Sequence, residues 1–109
     1  MIKNTEDLNS FILEKLEEKN AKNITKINME NSSIAKYMFI ASGTSTRNIS
    51  AIADFLSQEI KQNTSFGVVL EGMQNSEWVI LDCGDIIVNL FCPEERNRLN
   101  LEYLFNKKS

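Results

Sequence analysis

The feature that most limits the possible folds is an uninterrupted apolar run at residues 37–41, Tyr37-Met38-Phe39-Ile40-Ala41. A strand with one face in water would alternate apolar and polar side chains, whereas this run is apolar throughout. Its length and its flanking residues favour a strand over a helix. The run therefore predicts a strand that is buried on both faces of a sheet.

Three segments are predicted to be helical. The clearest is 45–62, with apolar residues at positions i, i+3, i+4, i+7 and i+11, namely Ile49, Ile52, Ala53, Leu56 and Ile60. Segment 5–19 has a similar apolar stripe, and Asn4 or Thr5 is its candidate N-cap. A final helix is expected to begin at Pro93, since proline suits the first helical turn.

Four further segments are typical of strands: 24–29, 68–70, 78–82 and 85–91. The last two flank Cys83-Gly84 and read as an antiparallel hairpin, although one long strand with a bulge at Gly84 fits the same pattern. The order helix, strand, strand, helix, three strands, helix predicts an α/β fold: a single domain over residues 1–109 with a mixed sheet flanked by helices. Within it, we expect a core that includes Ile40, Ile52, Leu56 and Val88.

Charge and residue types narrow the classes of function. Fifteen acidic against 12 basic residues give a formal net charge of −3, whereas a protein that grips nucleic acid through many phosphates normally carries a basic face. We therefore expect no direct DNA binding and a partner that is itself a basic protein. The sequence has no histidine, the commonest general base and metal ligand. We accordingly expect neither catalysis nor a cofactor.

The cysteines and the start of the chain indicate a compartment. Cys83 and Cys92 have no CxxC spacing, so we expect free, buried thiols in a reducing environment. Residues 1–11 contain acids where a signal peptide would have basic residues and an apolar run. No stretch approaches the roughly 20 apolar residues that a membrane helix needs. The sequence therefore predicts a cytoplasmic protein that does not enter a membrane.

Two constellations could carry chemistry. The turn after residue 41 leaves a buried strand and enters a helix, so its backbone N–H groups could hold a phosphate, but it lacks the additional glycines and the lysine of a phosphate loop. We therefore expect Gly43 to make the turn and Thr44 or Ser45 to cap the helix.

Asp82 and Asp85, with Glu71, could bind Mg²⁺ as in a minimal nucleotidyltransferase-like enzyme. In a hairpin turn, however, the two aspartates would more often cap backbone amides.

Trp78 is the single tryptophan of the chain. A lone tryptophan in a small domain is usually part of the core. An exposed one is a typical anchor of a protein interface. The sequence leaves both interpretations open.

An ordered set of motifs resembles the Iojap-like ribosomal silencing factors. The motifs are Gly43-Thr44-Ser45-Thr46-Arg47, then Glu71-Gly72, then the run EWVILDCGDIIV at 77–88, and finally Pro93-Glu94-Glu95 with the closing LEYLF at 101–105. They follow the family's order and separations over nearly the whole chain.

The resemblance implies a fold of nucleotidyltransferase-like topology without the catalytic carboxylates of those enzymes. It also implies a function: binding a protein on the intersubunit face of the large ribosomal subunit, which prevents subunit joining and represses translation when nutrients are scarce. We also consider a homodimer for the free protein, although the sequence does not determine the oligomeric state. Carried over by position, the partner-binding residues are Trp78, Asp82, Gly84, Asp85 and Leu99, with Thr44, Ser45 and Arg47 in support.

The chain departs from the family at two histidine positions, which are occupied here by Asn48 and Asn89. A role that needs an imidazole is therefore in doubt at both. The amides could preserve the hydrogen bonds.

An alternative hypothesis for the whole chain is a dimeric scaffold with no ribosomal role.

Overall fold

The computed structural model describes residues 1–29 and 32–106. Its elements, in chain order, are α1 (Thr5–Glu18), β1 (Lys22–Asn28), β2 (Tyr37–Ser42), α2 (Thr46–Asn63), β3 (Val69–Glu71), β4 (Trp78–Asp82), β5 (Ile86–Phe91), α3 (Pro93–Leu99) and α4 (Leu101–Asn106). The strands form one five-stranded sheet in the order β1-β2-β5-β4-β3. Only β2 and β5 are parallel, and the other three pairings are antiparallel. The predicted mixed sheet with helices is confirmed.

The sheet has two faces of different character. On the first face, α1 and α2 bury the larger cluster, which includes Phe39, Leu56 and Val88. On the second face, a smaller cluster consists of Ile27, Met29, Met38, Ile40 and Phe91. Residues of β2 alternate between the two clusters, as the period of a strand requires. The prediction that residues 37–41 form a strand buried on both faces is therefore confirmed, since they lie in β2. The four predicted core residues are each at most 2% exposed, namely Ile40, Ile52, Leu56 and Val88.

Local chemistry explains how the long helices begin. The Asn4 side chain accepts a hydrogen bond from the Asp7 N–H at 2.8 Å, which makes Asn4 rather than Thr5 the cap of α1. The Ser45 Oγ accepts from the Asn48 N–H at 3.1 Å and caps α2. Each long helix is therefore capped by one of its two predicted candidates, Asn4 for α1 and Ser45 for α2.

The C-terminal region corrects the prediction of one final helix. Asn100 adopts a left-handed conformation with φ of 49° and ends α3. Its side-chain Oδ1 then accepts a hydrogen bond from the Tyr103 N–H at 3.3 Å, at the start of α4. Asparagine tolerates this conformation better than most residues, because its short amide can bond the local backbone. The chain therefore changes direction at Asn100, and two short helices replace one.

The hairpin interpretation of residues 78–91 is confirmed. β4 and β5 pair antiparallel, and the Cys83 N–H donates to the Ile86 carbonyl at 2.9 Å across the turn. Gly84 has φ of 88°, a conformation that favours glycine, and it makes the turn without a bulge in a single strand.

Both cysteines carry free thiols. Cys83 is buried as predicted, whereas Cys92 is only half-buried, so the expectation of two buried thiols is wrong for Cys92. Burial, and secondarily the charge of Asp82, raises the pKa of the Cys83 thiol to about 12. At neutral pH it is therefore protonated and shielded.

A thiol-labelling experiment checks this burial. In the native protein at pH 8, we expect Cys83 to react with a soluble disulfide reagent far more slowly than Cys92, because the thiolate is the reactive species. Both should react at similar rates in denaturant. A Cys92→Ser variant isolates the signal of Cys83. Fast native labelling of that variant would contradict the buried position.

Candidate docking surface

The second face of the sheet is only partly covered. Leu99 of α3 and Leu101 of α4 pack against its cluster, and α4 lies on β1. Towards β4 and β3 the same face carries exposed or half-buried side chains, namely Val69, Glu71, Trp78, Ile80 and Asp82. The strand registers place all of these on one side, since Val69 faces Asp82 and Glu71 faces Ile80. We call these five residues the open patch.

Trp78 is neither fully buried nor fully exposed, so its position lies between the two that the sequence left open. Its ring stacks on Phe91 with centroids 5.1 Å apart and an interplanar angle of 24°. Its indole N–H donates to the Asn89 Oδ1 at 2.8 Å. The residue is nevertheless half-buried, so one part of the ring belongs to the second cluster and another is available to a partner.

The backbone at Gly72 lies very close to the backbone of Trp78, and only glycine leaves room for this contact. Any Cβ at this position would collide with the Trp78 carbonyl oxygen, and the φ of 87° independently favours glycine. The Glu71-Gly72 motif therefore ends β3 and lets the chain fold back against the first residue of β4.

Leu99 lies on the same face of the sheet as Trp78, although the two belong to different elements of the fold. Both side chains are half-buried against the same second cluster. The structure therefore brings Trp78 and Leu99, two residues expected at the partner contact, to one face of the sheet.

The turn residues are placed differently. Asp82 is exposed on the face of Trp78, but about 13 Å further along β4 at ~3.3 Å per residue. Its Oδ1 accepts the Gly84 N–H at 2.8 Å, which confirms the expected capping of a backbone amide. The Asp85 Oδ2 accepts instead from the Thr5 hydroxyl at 2.7 Å and so holds α1 to the turn. Gly84 and Asp85 therefore lie at the end of the patch rather than within it.

Thr44, Ser45 and Arg47 surround the start of α2 and are exposed. Ser45 caps the helix, and the Thr44 N–H donates to the Asn48 Oδ1 at 2.9 Å. Arg47 lines a groove with Asn75 and Ser76 of the loop that leads to Trp78. The three residues thus shape the helix start near the Trp78 end of the sheet, opposite the end that holds Asp85.

A buried ionic network holds the C-terminal helices on the second face. Arg96 donates to Glu102 at 2.8 Å through both Nε and Nη2, to the Ser42 Oγ at 2.7 Å and to the Thr25 Oγ1 at 3.2 Å. The Thr25 hydroxyl in turn donates to Glu102 at 3.0 Å. The hydrogen bond from Arg96 lowers the pKa of the Glu102 carboxyl, against the opposing effect of burial.

The chemical character of the open patch is apolar and acidic. Val69 is 59% exposed, and Glu71 and Asp82 add carboxylates beside it.

Within residues 1–29 and 32–106, no three potential ligands from His, Cys, Asp and Glu are grouped as a metal site would need. In the same part of the chain, no helix combines the length and hydrophobicity required to span a bilayer.

Sequence comparisons identify relatives over most of the chain. The profile of the family described as "Ribosomal silencing factor during starvation" matches residues 2–109. A protein named ribosomal silencing factor from Zymomonas mobilis is 49% identical over 74 residues, which cover 68% of this chain and 56% of that protein. One of the same name from Bacillus subtilis is 33% identical over 90 residues, with coverages of 82% and 76%. A mouse protein named "Mitochondrial assembly of ribosomal large subunit protein 1" is 33% identical over 76 residues, with coverages of 67% and 33%.

Solved structures agree with the fold. A crystal structure of a Chromobacterium violaceum protein superposes with a TM-score of 0.89 at 26% identity, covering 97% of this chain and 89% of the other. A Bacillus halodurans crystal structure superposes with a TM-score of 0.82 at 29% identity, with coverages of 92% and 94%. Profile, relatives and fold lead to one conclusion. The chain belongs to the family of ribosomal silencing factors.

Proposed function

We propose that this chain, acting as one domain over residues 1–109, binds the large ribosomal subunit through a basic ribosomal protein at the intersubunit face. The observation that carries the proposal is Trp78, a half-buried aromatic anchor on an open sheet face beside exposed carboxylates. Bound there, the chain blocks subunit joining and represses translation when nutrients are limiting. The names of the relatives support a ribosomal partner, and the mouse relative's name mentions the large subunit.

The chemistry of the open patch supports a basic protein as the direct contact. Aromatic anchors surrounded by a polar rim contribute most of the energy of such interfaces. Trp78 and Ile80 supply apolar area, while Glu71 and Asp82 can pair with lysine or arginine across the contact. The net charge of −3 disfavours a contact made mainly through nucleic-acid phosphates.

The proposed mechanism is steric and needs no catalysis. The two aspartates that an Mg²⁺-dependent enzyme would use face different partners, since one Asp82 oxygen accepts from the Gly84 N–H and one Asp85 oxygen accepts from the Thr5 hydroxyl of α1. A protein that acts on ribosomes in this manner works in the cytoplasm. When free, it covers the open patch by pairing with a second copy, because exposed apolar area on one face favours association.

We expect the Trp78→Ala variant to bind the large subunit more weakly by on the order of 2 kcal/mol, roughly 30-fold in Kd. The reason is loss of the anchor's buried area and of its fit to the partner. Co-sedimentation of purified large subunits with each variant measures the change. Circular dichroism reports separately whether the fold survives.

The matched control is Phe55→Ala. Phe55 is also a half-buried aromatic, but it lies on α2, which covers the opposite face of the sheet, and its ring packs under Lys19. Its removal should leave binding within about twofold, a change of roughly 0.4 kcal/mol. If a folded Trp78→Ala protein still co-sediments and still blocks subunit joining like the wild type, the open patch is not the contact.

A further inference from the structure

Asn89 is a buried polar residue in an apolar environment. It is 2% exposed and lies in the middle of β5. Its neighbours across the sheet are Ile40 on β2 and Ile80 on β4. The residues two positions away on its own strand, Ile87 and Phe91, share its face. All four surrounding side chains are therefore apolar.

The orientation of the Asn89 amide follows from its one partner. An indole N–H can only donate a hydrogen bond, so the Asn89 oxygen, not its nitrogen, must face Trp78. The Nδ2 group is thereby directed elsewhere, and it has no hydrogen-bond partner among the described residues. Its neighbours explain this, because isoleucine and phenylalanine offer no acceptor.

This arrangement is unfavourable for stability alone. A buried N–H group without a partner loses its hydration and gains no hydrogen bond in return. Leucine has the same number of side-chain heavy atoms as asparagine, branched at the same carbon, and would occupy the position without an unpaired N–H group. The contribution that leucine could not make is the bond to the indole.

We infer that Asn89 is a positioning residue, which fixes the orientation in which Trp78 is presented to its partner. The consequence for binding rests on the proposed function. The stack on Phe91 restrains the plane of the Trp78 ring, but a half-turn about χ2 would leave the ring in the same plane with its other edge facing inward. The bond to Asn89 selects the indole edge that faces inward and hence the edge that is left for the partner.

The test is Asn89→Leu, read by three measurements. We expect the melting temperature to stay the same or rise, since the unpaired N–H is removed. Because Trp78 is the only tryptophan, its fluorescence reports on this ring alone, and we expect a red-shifted emission with easier acrylamide quenching. Large-subunit binding should weaken about tenfold, the value of one ordinary hydrogen bond.

Two further variants separate positioning from packing. Asn89→His places an acceptor nitrogen at the same distance along the side chain, and it should restore the wild-type emission and binding. In a Trp78→Phe background the N–H is absent, so adding Asn89→Leu should leave binding unchanged.

The outcomes are distinct. A lower melting temperature, or failure to fold, with Asn89→Leu would show that Asn89 serves the core and would overturn the inference. So would wild-type emission and quenching in that variant. If the wild-type chain itself does not bind large subunits, the proposed function fails, while the fluorescence and melting measurements still decide whether Asn89 positions Trp78.

Discussion

Truncation of Leu56 to alanine is expected to lower the free energy of unfolding by about 2–5 kcal/mol. Leu56 is 1% exposed and lies on the face of α2 that packs against the first cluster. The loss has two parts: the transfer free energy of the removed methyl groups and the cavity that close-packed neighbours cannot fill. For a domain of this size, total stability is only about 5–15 kcal/mol, so the variant should melt many degrees below the wild type.

Urea unfolding followed by circular dichroism measures this loss, with the slope m checked for constancy. Leu13→Ala is the matched control, because Leu13 is also a helical leucine but is 38% exposed. It should cost less than about 1 kcal/mol, since more than a third of Leu13 already lies in water and no enclosed cavity forms when its side chain is shortened. A Leu56 loss as small as that of Leu13 would mean that α2 does not pack on the sheet as described.

Sequence patterns predicted the elements whose cause is local. The helical stripe of α2 and the unbroken apolar run of β2 are each visible in a short window, and both elements lie within one or two residues of their predicted bounds. The same holds for the hairpin, because Gly84 and the two apolar runs around it are adjacent. Such features depend on periodicity and turn chemistry alone.

The features that sequence patterns missed depend on contacts between distant residues. Arg96 reads as one more polar residue of a surface helix, yet it is buried by Ser42 and Thr25, which lie 54 and 71 residues away in sequence. The Glu102 carboxylate and these two hydroxyls together accept the guanidinium's hydrogen bonds, and this makes the burial of Arg96 favourable. The split of the last helix has a local cause in Asn100, but the apolar spacing continues across that position and hides it.

For the candidate site too, sequence patterns predicted the local features and missed the contacts between distant residues. The strand pattern of residues 78–82 placed Trp78 and Asp82 on one strand, and the period of two then puts them on one face. Motif order could not show that Asp85 turns towards Thr5 on α1, or that Asn89 holds the indole of Trp78. Those contacts follow from strand pairing and helix docking, which a linear pattern does not specify.

The C-terminal helices provide the second large effect: Glu102→Ala is expected to cost about 2–3 kcal/mol. The change leaves the Arg96 guanidinium, whose side chain is 10% exposed, without its carboxylate. Removal of one partner from a buried pair is costly because the remaining charge is poorly hydrated. The side chain of Glu102 is 31% exposed, so we place the loss below that of a fully buried pair. Hydrogen exchange should also show faster opening of α4, which this pair fastens to β1 and β2.

The stability lost in Glu102→Ala should depend on pH, and the lowered pKa of the Glu102 carboxyl determines the direction of that dependence. The Arg96 hydrogen bond lowers the pKa of Glu102 in the folded state below its ordinary value of 4.5. A carboxyl with a lowered pKa contributes its full stability above that ordinary value and loses it as the pH falls through the folded pKa. The difference between wild type and Glu102→Ala should therefore be constant near neutrality and shrink below about pH 4.5.

Glu95→Ala is the matched control for this pair, since Glu95 pairs with Arg98 at 2.9 Å, but the Arg98 side chain is 67% exposed. An exposed pair of this kind contributes little to stability, because water screens both charges. Urea unfolding of the three proteins at several pH values separates the two pairs. Equal losses for the two variants would mean that Arg96 is hydrated like a surface residue. A gap between wild type and Glu102→Ala that does not change with pH would mean that the lost stability comes from packing of the Glu102 side chain rather than from its charge.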